Sequence, residues 1–339
     1  MSSGRQTADV LAGGSGGEVL AFRVDGVGFR WATVFADARR RGDWQILETE
    51  VRQALACAQL VAEGAPPLGR EVERSAANTF RRARRLHAAE DVEVWLGARG
   101  LTVRQWRRYL RGEALRQRHA AELADLMVRY PADDAVVHDA LPIWGWCSGA
   151  LPRWAEGLAA RAATAAALAE YASQDGADGF DGLVDLPALD EAYEQFVAET
   201  ATLDRLAALV AARYLAWLRI DGDLVAFADE DTAREALLCV REDGWSLADV
   251  AAAAKRQLRR RALLAEEVDV EVRHHLVRAR DGDLLGPLLV DGRPTLVFVR
   301  RKRPPEIDDE EVRVRATREL VDTAVAREVA DRVEWLHPR

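Results

Sequence analysis

Sulfur and imidazole are scarce in this chain: three cysteines, two methionines and six histidines in 339 residues. Cys57, Cys147 and Cys239 lie far apart with no Cys-x-x-Cys pair. That spacing excludes a disulfide framework and a zinc-finger ligand set, and it leads us to expect reduced thiols in a cytoplasmic protein. The opening MSSGRQTADVLAGGSGGEVL lacks the apolar core of a secretory signal, so residues 1–17 are expected to be a disordered Gly/Ser leader. No run suits a membrane span; the most apolar helix-like window, 159–172, is alanine-rich and carries Arg161. Catalytic motifs are missing as well: there is no Gly-rich phosphate loop, no HExxH and no GxSxG elbow. His274 and His275 are adjacent on an expected helix, which turns their side chains about 100° apart and prevents joint chelation. The Gly/Asp loop holding Asp175, Asp178, Asp181 and Asp185 does not meet the calcium-loop pattern. Neither a metal nor a cofactor is therefore expected.

What is present is an ordinary globular composition, 49% apolar and 30% charged, long enough for two or three domains with real cores. The clearest strand signal is residues 281–305, DGDLLGPLLVDGRPTLVFVRRKRPP, where Asp291-Gly292 separates two apolar runs. Such a pair predicts a two-residue type I′ turn and hence a hairpin. A smaller strand and turn at Asp25-Gly26 leads into helices expected at 32–40 and 44–62, divided by Gly42. Helical periodicity then dominates. Thr102 with Gln105 forms the pattern of a capping box, followed by Val103, Trp106, Leu110 and Ala114 on one helical face. Ser246 with Asp249 starts another helix, and helices are expected over 229–240 and 270–280. Asp221-Gly222-Asp223 reads as a turn into a short strand LVAF, and KRQLRRR at 255–261 reads as a basic patch. The last long helix, from the acidic start at 306 to Trp335, has a broad apolar face that must dock on earlier helices.

Two features invite a functional reading. Arg104, Arg107, Arg108, Arg111, Arg116 and Arg118 coat the helix after Thr102, either as a solvated face or as a surface for an acidic peptide. A nucleic-acid role for this coat conflicts with the net charge of −9. Tryptophans crowd the stretch LPIWGWCSGALPRW, where Cys147 sits among Trp144, Trp146 and Trp154; Cys147 is a candidate reactive thiol, and the alternative is a buried aromatic core.

The segment FRRARRLHAAEDVEVWLGARGLTVRQWRRYLRGEALRQR, with Trp95, Leu96, Arg99, Gly100, Leu101 and Thr102 forming a "WLxxRGLT" turn, resembles the N-terminal chaperone domain of the SurA and trigger-factor-like family. Ala233, Leu237, Gly244, Ser246, Leu247, Val250 and Ala251, followed by Gly282, Leu284, Gly286, Pro287, Leu296, Val299, Lys302, Pro304 and Pro305, resemble a parvulin-type (PpiC) peptidyl-prolyl isomerase domain. The resemblance implies a mainly helical α+β protein. Its divisions would be a helical chaperone domain over 18–130 completed by 307–339, a second helical region over 131–222 and a parvulin-like domain over 223–306. Family active sites carry histidines in the first and last strands, and neither LVAF nor TLVFV has one. The implied function is therefore a chaperone binding a peptide or unfolded polypeptide, such as the precursor of a modified peptide with its modifying enzymes, and no nucleic acid or membrane. The alternative is an active isomerase or peptide-modifying enzyme on the same scaffold. Trp95, Trp106, Trp144, Trp146, Trp154, Leu285, Pro287 and Leu289 are candidates to hold client side chains, with Arg107 and Arg111 for acidic positions.

Overall fold

The expected hairpins form where paired residues with positive φ reverse the chain. Strand β1 (Leu20–Val24) turns through Asp25 (φ 47°) and Gly26 (φ 86°) into β2 (Val27–Arg30). Both central residues being left-handed makes the type I′ geometry that matches strand twist. The computed structural model describes residues 19–173 and 184–337, and the chain divides into two compact units, 1–196 with 324–339 and 197–323. The architecture is α+β and mainly helical. The expected leader and the Asp175, Asp178 and Asp181 loop lie outside the described residues.

In the first unit, α1 (Trp31–Arg41) ends at Gly42, whose φ of 83° no β-substituted residue adopts cheaply, and α2 (Asp43–Ala62) starts at once. Helices α3 (Arg70–Ala83), α4 (Ala89–Gly97), α5 (Val103–Arg118), α6 (Leu123–Arg129), α7 (Asp134–Ser148), α8 (Ala150–Ser173) and α9 (Leu186–Thr200) follow. One continuous core runs from Phe22, Trp31 and Val51 through Leu101 and Tyr109 to Trp144, Leu158 and Leu189. This core joins helices on both sides of the 130/131 position. Pro131 and its acidic neighbours end α6 and cap α7 through Asp133, but α7 and α8 bury their apolar faces against the helices before them. The alanine-rich α8 is a core helix for the same reason: Ala155, Leu158, Ala159 and Ala163 are fully buried.

Arg161 on α8 is buried as well, and its guanidinium is matched. It bonds to Asp37 of α1 and, at 3.1 Å, to Asp190 of α9, while Arg40 bridges the same two carboxylates at 3.0 and 2.7 Å. Burial works to raise the Asp190 pKa, but the Arg40 hydrogen bond and the charges of Arg161, Arg40 and Arg41 outweigh it and hold the carboxyl below its ordinary value.

The chain returns to this unit at its end. The last long helix stops at Arg332, and Val333–Trp335 is a strand instead of a further helical turn, antiparallel to β1 with Phe22 opposite Trp335. The resulting sheet order is β2-β1-β7, taking β7 as this last strand. Trp335 packs on Phe22 at 5.6 Å, and His337 lies 5.1 Å from the Trp31 ring. Burial of β1 residues Ala21 and Phe22 needs a second partner strand, which outweighs helix propensity at the terminus.

The second unit holds α10 (Leu203–Ala212), β3 (Arg219–Ala226), α11 (Glu230–Arg241), α12 (Leu247–Ala253), β4 (Leu258–Leu264), α13 (Val270–Arg278), β5 (Leu284–Val290) and β6 (Arg293–Arg303). The first part of α14 (Glu310–Arg332) also belongs to it. The antiparallel sheet order is β4-β3-β6-β5. Alternation sends Leu224, Val297 and Val299 to one face, under Val272 and Leu276 of α13, and Val225 and Leu296 to the other, under α11 and α12. One local reading is corrected. Asp221-Gly222-Asp223 is not a turn but the middle of β3, paired on both sides, and Gly222 is needed there because a Cβ would stand 3.0 Å from the Phe298 carbonyl oxygen. KRQLRRR remains an exposed basic stretch, of which Leu258 onward is edge strand β4. The β5–β6 hairpin forms as expected, with Asp291 at φ 51° and Gly292 at φ 72°.

Candidate functional site

Helix α5 borders two clefts of the first unit. Its start is fixed locally: Thr102 Oγ1 accepts from the Gln105 amide at 3.2 Å, and Gln105 Oε1 accepts from the Thr102 amide at 2.8 Å. Its inward face is fixed by aromatics. Phe80 of α3 meets Trp95, Trp106 and Tyr109 with ring centroids 5.3, 5.6 and 6.3 Å away, and Tyr109 in turn meets Trp144 of α7 at 5.5 Å. Burial pushes the Tyr109 phenol pKa up, with the nearby Glu113 adding to it. Gly112 permits close approach to α2 and α7, because a Cβ there would lie 2.6 Å from Trp144 Cζ2 and 3.1 Å from Ala54 Cβ. Val103, expected on the apolar face, is exposed instead, and Tyr109, Gly112 and Leu115 take the inward positions.

With that face turned in, Arg104, Arg107, Arg108, Arg111 and Arg118 are exposed, while Arg116 is partly buried. Arg111 clamps α5 to α3 through Glu73 (Nε–Oε1 2.7 Å), Arg116 lies within 3.6 Å of Glu50 and 3.4 Å of Glu113, and Arg118 donates to the Pro66 carbonyl at 3.0 Å. Arg104, Arg107 and Arg108 form no ion pair or hydrogen bond with any described residue.

These arginines border two clefts. One, ≈ 790 Å³, lies between α2 and α5; Ala54, Leu55, Ala58, Val61 and Leu115 give it an alkyl floor, and Arg104, Arg107, Arg108 and Arg111 rim it. The other, ≈ 490 Å³, lies between α3 and α5 and combines Ala77, Trp106 and Leu110 with Arg70, Arg74, Arg81 and the same Arg107 and Arg111. Helix α5 is thus an arginine ridge between two partly apolar troughs. Sequence reading found the ridge but missed the floor, since nothing local says that α2 residues 54–61 lie beside α5; the signal available was Gly112, a glycine inside a strong helix pattern.

The expected site residues divide among several places. Trp106, Arg107, Arg111 and Trp144 all border the α5 clefts, Trp106 and Trp144 as buried rings showing only an edge. Trp95 is half-buried under the Arg99 guanidinium at 4.1 Å; Trp146 is buried 5.6 Å from Trp31. Trp154 borders a separate ≈ 370 Å³ hollow with Asp37, Arg41, Glu50 and Arg153. Leu285, Pro287 and Leu289 belong to β5 in the second unit, where Leu285 and Pro287 are half-buried and Leu289 is 57% exposed. The tryptophans are therefore chiefly core.

Cys147 does not suit a reactive role. Its side chain is fully buried, and burial pushes the thiol up to about 12, against the lowering effect of Arg84 and Arg99. Arg99 is itself brought down to about 10, first by burial and then by the Arg84 charge. Among the described residues, no group of three His, Cys, Asp or Glu side chains could hold a metal ion, and no helix is long and apolar enough to cross a membrane.

Fold and site together define a mainly helical α+β protein with an arginine-ridged, alkyl-floored surface. No family model and no curated protein matches the chain. Among solved structures, it is similar at 10% identity to a chain from the work on the virulence factor PEB4 and the periplasmic protein Cj1289, two SurA-like chaperones of Campylobacter jejuni. That similarity covers 94% of this chain and 100% of the other, with a TM-score of 0.19, a value that carries no argument about function.

Proposed function

We propose that the chain is a SurA-like polypeptide-binding protein that holds a client segment in the cleft between α2 and α5, and that the client is a peptide awaiting maturation. The observation that carries the reading is the ≈ 790 Å³ cleft, whose floor offers Leu55, Ala58 and Val61 to solvent beside a rim of arginines. A concave surface with an apolar floor and a charged rim suits a chain segment that buries some side chains and keeps others wet. The WLxxRGLT turn supports the same reading, since Leu96 and Leu101 within it are core residues that set α4 against α5. Catalysis of prolyl isomerisation is not part of the proposal: β3 and β6, the central strand pair of the second unit, carry no histidine.

The test is calorimetric titration of the protein with a panel of peptides varying in apolar and charged content, repeated with Ala58→Glu. Ala58 is exposed, so this change should leave folding intact while placing a charge on the cleft floor. Saturable binding weakened by Ala58→Glu is expected. Absence of binding across the panel, or binding indifferent to Ala58→Glu, would remove the cleft from the function.

A further inference from the structure

The proposed cleft leaves open which client chemistry it selects, and the charge on α5 bears on that question. Arg104, Arg107, Arg108 and Arg111 stand at helical positions i, i+3, i+4 and i+7, one face spanning about 10 Å at 1.5 Å per residue. Like charges at this spacing repel and lower helix stability. A chain with a formal charge of −9 has carboxylates to spare, and α5 uses Glu73, Glu50 and Glu113 to hold Arg111 and Arg116. Arg104, Arg107 and Arg108, the three beside the alkyl floor, receive none among the described residues. The trough on the other side of the ridge adds three arginines from α3 against the single carboxylate of Glu73. Several arginines elsewhere are matched across distant segments, as with Arg219 and Glu311, Arg300 and Asp223, or Arg332 and Asp25. On the ridge, cations are concentrated and, among the described residues, left without a carboxylate at Arg104, Arg107 and Arg108.

Resting on the reading of this cleft as the client site, we infer that it selects an acidic segment of a polypeptide, in which Asp or Glu alternates with aliphatic side chains. The carboxylates pair with Arg104, Arg107 and Arg108, where each guanidinium can donate two parallel N–H bonds to one carboxylate. The aliphatic side chains lie on Leu55, Ala58 and Val61. A polypeptide fits better than a nucleic acid because single-stranded nucleic acid sites present aromatic faces for base stacking. Here the rings of Trp106 and Trp144 are buried, and the floor is alkyl.

The experiment compares three short peptides of one leucine pattern, with Glu, Gln or Lys at the polar positions, titrated into the whole protein at low and high salt. The Glu peptide is expected to bind about tenfold more tightly than the Gln peptide, as three exposed ion pairs each worth two- to threefold would give. The Lys peptide should be weakest, and the Glu advantage should shrink at high salt. Arg104→Ser, Arg107→Ser and Arg108→Ser, all at exposed positions, should remove the preference for Glu over Gln stepwise. Equal binding of Glu and Gln peptides overturns the acidic preference while leaving the cleft as a client site; failure of every peptide removes both. A random oligonucleotide binding more tightly than the Glu peptide would transfer the ridge to nucleic acid. A free-protein dimer dissolved by the same substitutions would assign the cleft to a second copy, and either result overturns the inference.

Discussion

One substitution made at two glycines of the first unit should stabilise at one and fail to stabilise at the other. Gly112 lies inside α5 and Gly157 inside α8, so each is replaced by Ala in a helix interior. Propensity alone favours both changes by about 1 kcal/mol. At Gly157 nothing lies within 4 Å of the new methyl group, so that gain should appear in full. At Gly112 the methyl meets Trp144 Cζ2 at 2.6 Å, far inside the ~3.5–4.0 Å optimum for carbon contacts. The ring cannot move aside, because Trp144 is 1% exposed and is backed by Tyr109 at 5.5 Å. Overpacking of this kind costs about 1–3 kcal/mol. Subtracting the propensity gain leaves Gly112→Ala neutral to about 2 kcal/mol destabilising, so the two variants should differ by about 1–3 kcal/mol. Guanidinium unfolding followed by far-ultraviolet circular dichroism reads this as a midpoint above wild type for Gly157→Ala and at or below it for Gly112→Ala. If Gly112→Ala stabilised as much as Gly157→Ala, the close approach of α5 to α7, and with it the shape of the cleft, would be refuted.

Other expectations follow from buried and strained positions. Cys147, held near 12, and Cys57, raised chiefly by burial, should resist a thiol reagent at mildly alkaline pH until the protein unfolds, while the partly exposed Cys239 reacts at once; a burst of more than one thiol would contradict the packing. Arg161→Met should cost about 3–5 kcal/mol, because it leaves Asp37, 3% exposed, without its buried partner, and a loss under 1 kcal/mol in denaturant titration would show that Arg40 alone suffices. Asp190 is held below its ordinary pKa, so its contribution is present above the unfolded value near ~3.9 and lost as pH falls through the lower folded value. Asp190→Asn should therefore flatten that part of the acid stability curve, and an unchanged curve would refute the pairing. Gly286 has φ 128° and no room for a Cβ, which would stand 2.7 Å from the Thr295 carbonyl oxygen; Gly286→Ala should destabilise the second unit by about 1–3 kcal/mol, seen as an early unfolding phase.

Local chemistry was readable wherever its partners lie within four residues. The turns at Asp25-Gly26 and Asp291-Gly292, the capping boxes at Thr102 and Ser246, and the stop at Gly42 all sit where their residue types predict. Readings failed where a distant neighbour decides. Asp221-Gly222-Asp223 has the composition of a turn, but Arg261 and Val299 on flanking strands make it β3. Trp335 continues a helical pattern, yet a vacant edge of β1 makes it a strand. The tryptophans drew attention as ligands for a client because sequence cannot show which large ring faces inward; Trp144 and Trp146 are 1% and 2% exposed.

From the sequence alone came the mainly helical α+β class, the hairpins and the arginine face of α5, because periodicity and turn chemistry act over a few residues. Tertiary structure decided that α7 and α8 share one core with the helices before them, that Cys147 is sealed, and that α2 supplies the floor beside Arg104, Arg107 and Arg108. The physical reason is common to all three. Burial and ion pairing depend on which faces meet across long stretches of chain, and only packing chooses which charges are neutralised and which stay exposed.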